Sequence, residues 1–276
     1  MWPRHPALKA GRRLNRAAGI LAAAVLADSA IEHYRGSFHN RAMVAPLISS
    51  SLSLLASMHG TSDKNGGAHA ARDTIYVVAG VTGLVGTCFH VFNIGKRPGG
   101  VSWLNLFYGA PIAAPAALSL SGILGYLAER SRANEPYERP TILGLPAGRV
   151  IAAMTAIGLC ATVAEAGLFH FRGAYHDKAM FLPVSVPPLA AVILADAAGP
   201  RWLPRGLARL WLSITAWLGF AGVGFHAYGV GRNMGGWRNW RQNVLNGPPL
   251  PAPPSFAGLA LAGLAAVDLM AEHPDA

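Results

Sequence analysis

Charge is what this sequence has least of. Only 13% of its 276 residues are Asp, Glu, Lys or Arg, against about 25% in a typical soluble domain. Most of the chain therefore cannot form a hydrated globular surface. Acidic residues are scarcer than basic ones, 13 against 23, which leaves a formal net charge of +10. Cysteine occurs twice, at Cys88 and Cys160, in unmatched positions, so neither a disulfide framework nor a thiolate metal centre follows. No serine, cysteine or carboxylate catalytic constellation is visible. There is also no phosphate-cradling glycine loop.

What the sequence has in abundance is apolar: 52% of the residues are hydrophobic. Stretches of low charge recur at 16–33, 42–58, 74–95, 106–128, 148–170, 179–198, 207–228 and 252–271. Each is close to the ~20 residues that carry an α-helix across a hydrocarbon core, where a helix satisfies every backbone group internally. The expectation is an all-α integral membrane protein with eight transmembrane helices in contact with lipid. Several stretches are rich in Ala and Gly, which predicts close helix packing through small residues. The least regular are 42–58, with its serines, and 179–198, where Pro183, Pro187 and Pro188 predict a broken or kinked start.

A basic balance can mark a nucleic-acid partner, but here the basic residues fall in short segments between apolar stretches. There Lys and Arg set membrane orientation. Fourteen lie on the face that carries both termini and nine on the other. This reads as a bacterial inner-membrane protein with cytoplasmic termini, and no nucleic acid is expected. Arg12-Arg13 followed by an alanine-rich run has the form of a twin-arginine or secretory signal. It is read as a retained first span because it leads into Asp28 and His33.

The sequence also repeats itself. Asp28, His33, Arg35, Gly36, His39, Met43 and Pro46 recur as Glu165, His170, Arg172, Gly173, His176, Met180 and Pro183, all displaced by 137 residues. Phe89, His90, Gly95, Lys96, Gly99 and Gly100 recur as Phe225, His226, Gly231, Arg232, Gly235 and Gly236, displaced by 136. Gly109, Pro111 and Pro115 recur as Gly247, Pro249 and Pro253, displaced by 138. A duplicated unit of about half the chain is implied, with repeats over 1–135 and 136–276. Because each unit holds an even number of spans, the two four-helix repeats enter the membrane in parallel.

In this arrangement His33 closes span one, His39 opens span two and His90 closes span three, so all three reach one face. His170, His176 and His226 do the same, and by the charge count that face is the outer one. Asp28 lies five residues before His33, about 140° around the helix. Asp28 and Glu165 are therefore read as carboxylates that orient a ligand or pair with a base. Trp103, Trp237 and Trp240 suit an interfacial belt, and Met43 and Met180 suit core packing. Glu32 faces Phe169 in the other copy and is not part of the shared set. His5, His59, His69 and His273 have no counterparts and are read as ordinary polar residues.

Paired histidines near an aqueous edge suit a b-type haem. His33 with His90, and His170 with His226, are the expected axial pairs. Arg35, Arg172, Lys96 and Arg232 stand ready for propionates. The function expected is an electron-transfer subunit of an oxidoreductase complex, passing electrons between a periplasmic or membrane redox partner protein and quinone. An alternative is a non-haem copper, iron or zinc site made by His33, His39 and His90 in one copy and His170, His176 and His226 in the other, each with its acid. Transport remains a third possibility, since parallel repeats and intramembrane acids also occur in carriers. A purely structural subunit is a fourth.

Overall fold

The computed structural model describes residues 6–132, 140–199 and 202–272. His5, His273 and the boundary expected between 135 and 136 lie outside the described residues. The α-helices in chain order are α1 (Pro6–Arg35), α2 (Ala45–Ser62), α3 (Ala70–Gly95), α4 (Trp103–Tyr108), α5 (Ala113–Arg132), α6 (Ala147–Arg172), α7 (Leu182–Ala198), α8 (Arg205–Arg232), α9 (Trp240–Asn246) and α10 (Pro254–Glu272). A two-residue hairpin, Thr141–Ile142 with Leu145–Pro146, precedes α6.

Seven of these helices, α1, α2, α3, α6, α7, α8 and α10, are long and apolar enough to cross a membrane. The chain is thus a nearly all-helical, multi-pass membrane protein by the length and composition of its helices. Their outer faces carry Leu55, Val81, Leu84, Trp217 and Phe225, all exposed, a surface that water would penalise and lipid accepts.

The stretch expected at 106–128 is divided. Its start becomes the short helix α4, the chain breaks around Gly109, and α5 begins only at Ala113. An added Cβ at Gly109 would meet the Asn105 carbonyl at 2.4 Å, so the break needs glycine there. Helix α5 is not among the seven apolar spans. It packs against α1 and α3 and buries Ser121, Glu129 and Arg132 along with Leu118 and Leu124. Protein surrounds these polar groups, so the helix need not be apolar. The stretch expected at 179–198 starts irregularly, with a 3-10 turn at Lys178–Phe181 before α7 and Pro183 in the first turn of α7. The helix continues through Pro187 and Pro188, although their rings remove the N–H groups that would reach the carbonyls of Pro183 and Val184.

Helices α1 and α10 pack against each other. Helix α1 also contacts α2 and α5, while α10 contacts α6 and α8. Leu14, Ala17, Leu21, Leu124, Ala152, Leu259 and Ala266 form a continuous core there. Small residues let the backbones approach. A Cβ at Gly258 would lie 3.1 Å from the Ala17 carbonyl, and one at Gly122 would lie 2.4 Å from the Gly80 nitrogen and the Tyr76 carbonyl.

Candidate functional site

The site begins with how two helices end. After Arg35 the chain reverses through Ser37 and Phe38, with φ of 56° and 46°; after Arg172 it reverses through Ala174 and Tyr175, with φ of 55° and 45°. In each turn the N–H five residues beyond a histidine returns to that histidine's carbonyl: Phe38 to His33 and Tyr175 to His170, both at 3.0 Å. The Met43 methyl sits 3.1 Å from where a Cβ on Gly36 would lie, and the Met180 methyl 2.9 Å from the same point on Gly173. Asn40 and Asp177 then accept from the N–H groups of Ala42 and Ala179, at 2.9 and 2.8 Å, and start the next helical turn. Glycine and methionine at the repeated spacing thus build a reverse turn.

His39 and His176 belong to that turn. Their Nδ1 atoms lie 3.0 and 2.9 Å from the carbonyls of Gly36 and Gly173, and both side chains are exposed. The other four histidines are half-buried. His33 Nδ1 lies 2.6 Å from the Met43 carbonyl, His90 Nδ1 2.5 Å from the Pro111 carbonyl, and His226 Nδ1 2.7 Å from the Pro249 carbonyl. His170 Nδ1, at the corresponding place, has no hydrogen-bond partner among the described residues. A carbonyl only accepts, so it places the proton on Nδ1 and leaves the Nε2 lone pair for a metal.

The imidazoles of His170 and His226 meet edge to face, with ring centres 6.4 Å apart and planes at 75°. His33 lies within electrostatic reach of both His90 and His39. The carbonyls that tether His90 and His226 lie in the segments that follow α4 and α9, while buried asparagines on those helices hold the loops that precede them. Asn105 Nδ2 donates to the carbonyls of Pro98 (3.0 Å) and Gly100 (2.7 Å), and Asn243 Nδ2 to those of Met234 (3.2 Å) and Gly236 (2.8 Å).

Around this layer the predicted basic residues occupy the rim. Arg35 pairs with Glu32 at 2.7 Å. Arg172 lies over the rings of Phe107, Tyr108 and Phe169, Lys96 over Phe92, and Arg232 over Tyr228. Arg172 thereby joins α6 to α4, and Arg241, bonded to the Tyr34 hydroxyl, joins α9 to the end of α1. A cleft of about 600 Å³ opens between those two ends, lined by Tyr34, Arg35, Ser37, Phe38, Leu245 and Asn246.

The two acids sit apart from the role expected of them. Glu165 Oε1 accepts from the Ala113 N–H at 3.1 Å, and so satisfies a donor left open at the start of α5. Asp28 lies within electrostatic reach of Glu165, and no hydrogen bond joins it to a histidine or a basic group among the described residues. Backbone carbonyls, rather than these carboxylates, set the imidazole tautomers. Among the described residues no group of three or more His, Cys, Asp or Glu side chains converges as a metal site. Cys88 and Cys160 are exposed on different helices. Comparison with known proteins gives no match to a family model, a curated protein or a solved structure.

At the far end of the same helices lies a cluster that reading the sequence missed. Arg72, on α3, donates to Asp63 at 2.9 Å and to Glu129 on α5 at 2.8 Å, and its Nη1 is 3.1 Å from His59 Nδ1. The His69 N–H donates to Glu129 at 3.0 Å, and the His59 and His69 rings are 5.7 Å apart. Asp63 has its pKa held below the ordinary carboxylate value, first by the Asn65 N–H and then by Arg72. The repeat did not mark it: at the 136-residue displacement of α3, Arg72 faces Ala208.

Proposed function

We propose that this protein is a membrane redox subunit that holds two b-type haems side by side near one face, one in each half of the chain. His33 with His90, and His170 with His226, would hold them. The observation that carries the reading is the His170–His226 pair, whose ring centres are 6.4 Å apart. Two imidazoles that each reach one metal through a ring nitrogen at about 2.0–2.1 Å have ring centres no more than about 6 Å apart. The carbonyl tethers at His33, His90 and His226 leave Nε2 as the free donor, which is the donor set that such an iron takes.

A bound haem would supply one-electron transfer. The chain's own residues position the imidazoles through the carbonyls of Met43, Pro111 and Pro249. Arg35, Arg172, Lys96 and Arg232 present cations at the rim, where propionates emerge. His39 and His176 tie their own turns, which favours two ligands per half over the three-histidine copper or iron alternative.

Parallel four-helix repeats, with α5 as an eighth span, are supported by matching packing. Helix α1 contacts α2 and α5 as α6 contacts α7 and α10, and α3 contacts α5 as α8 contacts α10. With the 14-to-9 split of basic residues, the histidine layer is assigned to the outer face of a bacterial inner membrane, with cytoplasmic termini. A periplasmic or membrane redox protein and quinone are the partners that fit.

Reduced-minus-oxidised spectra and haem analysis of purified protein test this. The expected content is two haems per chain in the wild type, about one in His90→Ala and in His226→Ala, and two in His39→Ala and His176→Ala. Absence of haem, or unchanged content in both His90→Ala and His226→Ala, overturns it. Stoichiometric copper or iron without haem would establish the non-haem alternative.

A further inference from the structure

A ladder of buried polar groups runs through the first half of the protein, from the Arg72–Glu129 cluster toward the histidine layer. At its base the Tyr76 hydroxyl donates to Asn15 Oδ1 at 2.6 Å and lies 3.2 Å from Ser57 Oγ. The next rung joins Ser53 Oγ to Ser121 Oγ at 2.9 Å, and Ser121 donates to the Ala18 carbonyl at 2.8 Å. Above it Ser49 Oγ and Thr82 Oγ1 are 3.0 Å apart. All of these side chains except Thr82 are buried. Along α3 the distance from Arg72 to His90 is about 27 Å at 1.5 Å per residue, close to the ~30 Å of a hydrocarbon core.

Hydroxyls between membrane helices often serve packing alone. Here the second half supplies the control. At the corresponding displacements of 137 and 138 residues, Asn15, Ser49, Ser50, Ser53, Ser57 and Ser121 become Ala152, Val186, Pro187, Ala190, Leu194 and Leu259. Ala152, Ala190, Leu194 and Leu259 are fully buried. Thr155 and Thr215 are buried elsewhere in that half, but at the ladder's own positions the same frame packs with apolar side chains, so the polar ones are not required for packing. Two fully buried atoms on the ladder, Asn15 Nδ2 and Glu129 Oε1, also lack any hydrogen-bond partner, which is costly unless they serve something that passes between them.

We infer that the first half contains a proton path joining the Arg72–Glu129 end to the His33–His90 layer, and that the second half has none. A proton arriving at one end is taken onto an oxygen lone pair, and the proton already on that hydroxyl moves to the next acceptor. One proton leaves for each that enters, and no electron moves. The Ser57, Ser53 and Ser49 rungs, about one helical turn or 5.4 Å apart on α2, are joined by hydroxyl rotation and single bridging waters, and the eight residues from Thr82 to His90, about 12 Å along α3, by a chain of waters. Hand-over between hydroxyls moves protons and no other ion. This inference does not depend on the haem reading.

Purified protein in phosphatidylcholine vesicles, with an internal pH-sensitive dye and a potassium potential set by valinomycin, measures it. Wild-type vesicles should acidify or alkalinise faster than protein-free ones, according to the sign of the potential. Ser53→Ala and Tyr76→Phe should each slow the flux roughly tenfold, the kinetic weight of one missing hydrogen bond. Ser53→Thr, which keeps the hydroxyl, should conduct, and separates loss of the path from loss of the fold. Wild-type flux equal to that of protein-free vesicles, or unaltered flux in both Ser53→Ala and Tyr76→Phe, overturns the inference.

Discussion

Arg72→Met tests the buried charge cluster directly. The Arg72 side chain is 3% exposed and Glu129 is 0% exposed. The substitution removes the donor at 2.8 Å from Glu129 and leaves Arg132 Nε at 3.6 Å as the charge facing it. Breaking a buried pair from one side strands a charge, at a cost of about 3–5 kcal/mol. Removing both charges, in Arg72→Met/Glu129→Leu, should cost less than Arg72→Met alone, because the stranded carboxylate is gone. Arg209→Met provides the comparison: Arg209 is 44% exposed and Asp268 keeps Arg13 and Lys9, so about 0–1 kcal/mol is expected. Reversible denaturant unfolding in mixed detergent micelles gives all three values. A cost below about 1 kcal/mol for Arg72→Met, or a double variant no better than the single, would refute the account of a desolvated pair.

Three further outcomes follow from named contacts. Gly122→Ala places a methyl against the Gly80 nitrogen and the Tyr76 carbonyl, so α3 and α5 must separate; unfolding measurements should show a loss of about 1–3 kcal/mol. Asn243→Leu removes both donors that hold the Met234–Gly236 loop. It should raise amide exchange across residues 233–250 while leaving α1 and α2 unchanged. Asp63 has a folded pKa below its ordinary value of 3.8, so its contribution is complete above about pH 4 and fades as pH falls through the lower folded value. Asp63→Asn should therefore lose stability at neutral pH and show a flatter acid limb than the wild type.

The long helices were legible because hydrocarbon dictates both their length and their composition. Pro254–Glu272 begins within two residues of the expected start at 252. Helix α5 was only partly legible for the opposite reason. Other helices supply its environment, so Ser121 and Glu129 can be polar and still lie in the interior, where a carbonyl and an arginine receive them. Hydropathy measures what a segment would meet in lipid, and it has no access to a partner that arrives from more than fifty residues away. The prolines of α7 were legible at its start, where a 3-10 turn precedes the helix, and each removes only one hydrogen bond, so the helix continues through Pro187 and Pro188.

Comparing the two copies located the histidines without any knowledge of their contacts, but it could not say which neighbours orient them. The tethers are backbone carbonyls, and no side-chain pattern reports a carbonyl. Pro111 and Pro249 did recur together with Gly109 and Gly247, and the structure gives the reason. The prolines present their carbonyls to His90 and His226, while Gly109 and Gly247 leave no room for a Cβ beside the carbonyls of Asn105 and Asn243. Pro115 and Pro253 press on Gly86 and Gly222, 3.1 and 2.6 Å from where each Cβ would be. What both halves retain is thus a complete frame, with the imidazoles, their acceptors and the close contacts that fix the loop. Searching for what the copies share is blind to what one copy alone possesses. Ser53 opposite Ser121 in one half, and Ala190 and Leu259 at the corresponding places in the other, are a difference that only becomes meaningful once the common frame has been recognised. The shared residues argue for two similar sites, and the unshared ones argue that the two sites do different work.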